Sequence, residues 1–135
     1  METQSRINEE LHPTNTMASS FKESLDINKR KQLSSQILAT HAGRVPVIVE
    51  RSPDSKNLPI IERKKFLTPA EYTVAKFHQE ILNHLPIDEF TTINLYVGKG
   101  VMAMPALLMR QLYDIHKDED GFLYVTYGEH KAMGL

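Results

Sequence analysis

FLYVTY, residues 122 to 127, is the stretch whose reading decides how the rest of this chain assembles. Aromatic and β-branched residues alternate there with little that favours a helix, so it reads as a strand. The acidic turn Asp118-Glu119-Asp120-Gly121 opens it and a polar tail follows it, which makes it the last element of the chain. Every earlier element has to be placed around it.

Working backwards, Pro105 opens a helix with Leu108, Leu112 and Ile115 on one stripe, and TTINLYV (91 to 97) alternates as a strand. Thr68-Pro69-Ala70-Glu71 combines a capping-box pattern with proline in the first-turn position, so a helix is expected to start there. Val74, Phe77, Ile81 and Leu85 mark its face, and it ends before Pro86. VPVIVE (45 to 50) and the segment Pro59 to Leu67 read as two strands of a hairpin around the turn at Ser52-Pro53-Asp54. Between Phe21 and Thr40, Leu25, Leu33, Ile37 and Leu38 fall at loose helical spacing around Lys29-Arg30-Lys31, giving one or two short helices. Residues 1–19 are polar, aperiodic and broken by Pro13, and read as a flexible extension.

The order is therefore helices, then ββαβαβ. It fits a mixed sheet wrapped over a helix, the α/β (α+β) β-grasp architecture, better than the βαββαβ order of ferredoxin-like folds. Parallel pairing of the first and last strands would put FLYVTY at the centre of the sheet and leave the chain beyond Tyr127 projecting into solvent. The division expected is an extension (1–19), a domain with its N-terminal helices (20–127) and a flexible tail (128–135).

Totals narrow the function. The 135 residues fit one domain, and 41% apolar residues, 24% charged residues and a formal net charge of -1 suit an ordinary globular protein, not a nucleic-acid binder. With no cysteine there is no disulfide, thiolate metal site or thiol nucleophile. No window approaches the roughly 20 apolar residues of a membrane-spanning helix. The six histidines form no ligand set: His78 and His84 are six apart, which does not place them on one helix face. The acidic turn at 118–120 lacks the twelve-residue calcium loop with its terminal glutamate. Neither a metal nor a cofactor is expected, and no nucleophile-base pattern or Gly-rich phosphate loop points to an enzyme.

Several separated motifs, in order and at matching spacing, carry a resemblance. HKDEDGFLYVTY (116 to 127), RVPVIVE (44 to 50), KKFLTPAEYTVAKF (64 to 77) and a glycine seven residues after Tyr127 resemble the autophagy ubiquitin-like modifiers, the light-chain-3 and GABA-receptor-associated-protein family. The likeness runs from about Met17, where MASSFK looks like the family's usual start, to Leu135.

The resemblance implies a ubiquitin-like domain preceded by two helices, with a tail trimmed by a cysteine protease to expose glycine. The matching glycine is Gly134, and Leu135 is the residue removed. The freed carboxylate would be activated, passed through an activating and a conjugating enzyme, and joined to phosphatidylethanolamine, moving the protein from the cytoplasm to autophagosomal membranes. A residue without a Cβ lets a nucleophile approach its carbonyl closely.

The resemblance also implies receptors carrying an aromatic-x-x-aliphatic motif, which add a strand to the edge Lys65-Phe66-Leu67. It assigns Ile37, Pro46, Lys65 and Phe122 to an aromatic pocket, and Phe66, Pro69, Tyr72, Phe77 and Ile81 to an aliphatic one. Ile37, Phe77 and Ile81 also read as plain core, and Arg63-Lys64-Lys65 as a solvated charged face. Three features depart from the family pattern: Leu82-Asn83-His84 replaces a basic triplet, Met133 replaces an aromatic before the glycine, and the loop at Gly98-Lys99-Gly100 is one residue longer. They keep open an alternative, a peptide-motif binder or cytoskeletal or trafficking adaptor of the same fold that is never conjugated.

Overall fold

The computed structural model describes residues 20–129. The N-terminal extension, Gly134 and Leu135 lie outside those residues, as do residues 130–133.

Two helices come first. In α1 (Phe21–Ser24) a reciprocal box closes the start: Ser20 Oγ accepts the Glu23 N–H, and the Glu23 carboxylate accepts the Ser20 N–H. α2 (Ile27–Thr40) starts at Asp26, whose carboxylate accepts the Lys29 N–H. Then follow β1 (Arg44–Arg51), β2 (Lys65–Pro69), α3 (Val74–Leu82), β3 (Ile93–Val97), β4 (Val101–Met102), α4 (Met109–His116) and β5 (Leu123–Glu129). The strands lie in the order β2-β1-β5-β3-β4. β1 and β5 are parallel, with Val47 opposite Leu123, and every other neighbouring pair is antiparallel. This is the expected ubiquitin-like β-grasp, with the last strand at the centre.

Strand alternation sorts the core into two layers. Val45, Val47 and Val49 of β1, Phe66 of β2 and Leu123, Val125 and Tyr127 of β5 pack with Val74, Phe77 and Ile81 of α3 and Met109 and Leu112 of α4. On the opposite face Ile48 and Phe122 pack with Phe21, Leu25 and Ile37 of the N-terminal helices, and Phe21 meets Phe122 edge to face at 5.2 Å.

A polar clasp accompanies this second layer. The Asp120 side chain is fully buried; one oxygen accepts from Arg30 Nε at 2.8 Å and from the Tyr124 hydroxyl, and the other from the Phe122 N–H at 2.9 Å. Arg30 reaches further, donating to the carbonyls of Lys22 and Leu25 at the end of α1. Burial, then the neighbouring Asp120 carboxylate, push the Tyr124 phenol far above its ordinary value and keep it a donor. Ser34 Oγ donates to the Asp120 carbonyl at 2.6 Å, so close to Gly121 that a Cβ there would lie 2.3 Å from the same oxygen. Gly121 also has φ +93°, a region that L side chains rarely adopt.

Several boundaries differ from the sequence reading, among them the end of α3, at Leu82 and not just before Pro86. β2 begins at Lys65, not Pro59: the preceding segment is tied instead to the end of β5, with Ile61 N–H donating to the Tyr127 hydroxyl, which donates to the Pro59 carbonyl. Thr68 does not cap a helix. It lies within β2 opposite Val45, and Thr73 caps α3 by accepting the Lys76 N–H. α4 begins at Met109 because residues before it bond to the first turn of α3: Ala75 N–H donates to Pro105 O and Val74 N–H to Leu107 O. Its buried stripe is accordingly Met109, Leu112 and Tyr113, and Ile115 is 67% exposed. Finally, β4 was not anticipated, so the order is ββαββαβ; it is two residues long and joined to β3 by a turn with positive φ at Gly98 and Gly100. β5 itself runs on to Glu129, two residues past the expected end of the strand.

Candidate functional site

β2 stands at one edge of the sheet and, among the described residues, pairs only with β1. Lys64 O accepts the Val49 N–H and Ala70 N–H donates to Gly43 O, so residues 64 to 70 with even numbers turn their backbone groups toward β1. The antiparallel alternation then faces the N–H and C=O of Lys65 and Leu67 outward. An edge of this kind can accept a further strand.

The side chains of β2 alternate as well. Lys65 and Leu67 lie on the face of the N-terminal helices, where Leu67 packs against the cluster that holds Ile37 and Phe122. Pro46 is buried and opposite Leu67 in the register, and Ile48 is opposite Lys65. Ile37, Pro46, Lys65 and Phe122 thus belong to one face. Phe122 is completely covered, and Ile37 is 8% exposed. Burial pushes the Lys65 ammonium below its usual value, consistent with a stem lying along apolar surface.

Phe66, Phe77 and Ile81 lie on the other face. All three are core residues, at most 1% exposed, with the rings of Phe66 and Phe77 perpendicular at 5.7 Å. Pro69 and Tyr72 are half-buried beside them, and Lys76 covers the Tyr72 ring at 4.9 Å. The two expected sets of residues therefore straddle the edge strand. The deepest members of each serve first as packing.

At the other end of interest, Glu129 N–H donates to Ser55 Oγ at 2.9 Å and Glu129 stands opposite Ile93. Ser55 is buried. This anchors the last described residue of β5 to the loop that holds Ser55.

The family model for "Autophagy protein Atg8 ubiquitin like" matches residues 29–134, well over half of the chain. The chain belongs to the Atg8 family of ubiquitin-like autophagy proteins. Autophagy-related protein 8 of Dictyostelium discoideum is 40% identical over 117 residues, which is 86% of this chain and 94% of that protein. Autophagy-related protein 8d of Arabidopsis thaliana is 37% identical over 117 residues, 87% of this chain and 96% of the relative. A crystal structure of Trypanosoma brucei ATG8 superposes with a TM-score of 0.78 at 27% identity, covering 86% of this chain and 98% of that one.

Within this Atg8 protein the structure adds residues that sequence reasoning passed over. Arg63 and Arg44 are exposed, yet each is bonded to the β2 backbone, Arg63 Nε to Lys65 O at 3.1 Å and Arg44 Nη1 to Leu67 O at 2.9 Å. Arg63 also covers the Phe66 ring at 4.7 Å, and His84 meets the same ring edge to face at 5.4 Å. Arg63 was hidden in a charged run, Arg44 precedes an apolar strand, and no local pattern announces a side chain that bonds to backbone. No helix among the described residues is long and apolar enough to cross a membrane.

Proposed function

We propose that this protein is a ubiquitin-like modifier of autophagy, processed after Gly134 with loss of Leu135 and conjugated through that glycine to phosphatidylethanolamine. Its partners on this path are a processing cysteine protease and the activating and conjugating enzymes. On the autophagosomal membrane it captures receptors whose aromatic-x-x-aliphatic motif pairs with the β2 edge, one anchor seated near Ile37, Pro46, Lys65 and Phe122 and the other near Phe66, Pro69, Tyr72, Phe77 and Ile81. The chain acts as a substrate and a docking platform, not as a catalyst.

What supports this reading is that, among the described residues, β2 is an edge strand with no strand on its outer side and is flanked by the two residue sets. Backbone bonds at such an edge supply affinity and side-chain anchors supply specificity. The match of the family model through residue 134 supports the assignment of the tail.

Gly134→Ala should leave the fold intact and abolish the gel-mobility shift that a phospholipase reverses, because a Cβ crowds both cleavage and activation at the carbonyl. Unchanged membrane puncta in this variant would falsify conjugation at Gly134. A peptide-binding protein that is never conjugated would show motif binding in titration and no phospholipase-sensitive form in cells.

A further inference from the structure

The N-terminal helices cover only part of their face of the sheet. The layer beneath them contains Ile48 and Phe122 but, among the described residues, none from β3 or β4. Beyond that layer Thr126 and Gly128 of β5 stand opposite Tyr96 and Asn94 of β3, and Tyr96 stands opposite Met102. Met102 and Met104 are 47% and 59% exposed. A cleft of about 220 Å³ opens here, with Thr126 and Gly128 between Ser52 and Ser55 on one side and Tyr96 and Gly100 on the other. Gly128 gives the cleft its depth, because a Cβ there would stand 3.0 Å from Ser55 Oγ and 3.6 Å from the Tyr96 ring.

The chain that precedes α1 arrives over this cleft. The Phe21 N–H donates to the Glu50 carboxylate at 2.7 Å, and Glu50 lies opposite Thr126. The other end of α1, at Leu25 O, is tied through Arg30 to Asp120, just ahead of β5. α1 therefore runs back along β5, and the backbone entering Ser20 comes from the side of Thr126 and Gly128. We infer that residues 1–19 dock across the outer face of β5 and β3, in the cleft between Ser55 and Tyr96. From β1 to β4 is three strand spacings, about 14 Å, and the ten residues from Glu10 to Ser19 can span about 33 Å. Charges fall in the matching order. Asp54 and Glu129 stand on the near rim, and Leu11 to Ser19 contains no carboxylate. Lys99 on the far rim is exposed and has no ion-pair partner among the described residues, and Glu9-Glu10 can reach it. This contact stands whether or not β2 binds peptides. It closes the outer face of β3 and β5 to other chains and leaves the β2 edge free.

The chain has no cysteine, so Asn8→Cys carries a single nitroxide, and the amide signals of the full chain then report where residue 8 lies. Those of Tyr96, Lys99 and Gly100 should be lost, while those of Lys65 and Leu67 on the opposite edge persist. A free extension, tethered at Glu50 of β1, would broaden the β2 side first. Thr126→Arg fills the cleft and should bring the lost signals back. Lys99→Glu should lower the docked-to-free ratio about twofold, the scale of an exposed ion pair, and Glu9→Lys/Glu10→Lys in the same chain should restore it. Signal loss centred on Lys65 and Leu67, no loss at either edge, a loss that a folded Thr126→Arg chain retains, or a Lys99→Glu chain that the two lysines do not rescue overturns the contact. So does a loss that appears only in isotope-labelled chains mixed with nitroxide-bearing ones, which puts a second copy in the cleft. Should Thr126→Arg lower the thermal midpoint, the charge reversal at exposed Lys99 and its rescue decide alone.

Discussion

Among the described residues, twenty buried apolar residues fill the face of the sheet under α3 and α4, whereas five fill the face under α1 and α2. The first layer holds by quantity of burial. The second has too little apolar surface to fix two helices, and there the directional bonds of Arg30, Asp120, Ser34 and Tyr124 set the placement. The difference teaches that a fold can attach an extra layer with a few aromatic rings and one fully satisfied buried carboxylate. It also predicts where the molecule opens first.

The strongest test of this contrast is Phe77→Ala. Phe77 is completely covered at the centre of the larger layer, and its truncation should cost about 3–5 kcal/mol and lower the denaturant midpoint of the whole sheet in one cooperative step. Arg30→Met should cost less, about 2–3 kcal/mol, because it leaves a buried carboxylate without its cation. Its effect should be local: amide hydrogen exchange should quicken in residues 21–40 while β3 and β5 keep their protection. If Arg30→Met instead lowers protection everywhere, the two layers form one cooperative unit and the contrast collapses. Smallest and opposite in sign is Thr68→Val. Thr68 Oγ1 is buried in the larger layer without a hydrogen-bond partner among the described residues, so an isosteric methyl should raise stability by about 0.5–1 kcal/mol in thermal melts. A loss of stability would mean that the hydroxyl is satisfied after all, and the larger layer less purely apolar than described.

The elements legible in the sequence are those whose pattern is local. The alternation in VPVIVE and FLYVTY and the spacing of Val74, Phe77 and Ile81 fix their own faces, and the order of elements then leaves few topologies. The errors arose where a distant group decided the outcome. Tyr127 claims the backbone at Pro59 and Ile61 and so delays β2; the first turn of α3 claims Pro105 and Leu107 and so delays α4. β4 is too short to show an alternation. At the candidate site, the edge residues Lys65 and Leu67 were legible from family motifs. The arginines that cover them were not, because each bonds to a carbonyl, which has no sequence signature.

Val47 pairs with Leu123 across most of the length of the chain. During synthesis, then, β1 emerges early and waits for its central neighbour until every other described strand has been made, and long-range pairing of this kind is slow to close. The strand that completes the sheet is also the one that leads into the tail at Glu129. A chain released before β5 lacks the central strand of its sheet. Closure of the sheet is therefore the last step of its assembly, because the central strand follows every other described element in the chain.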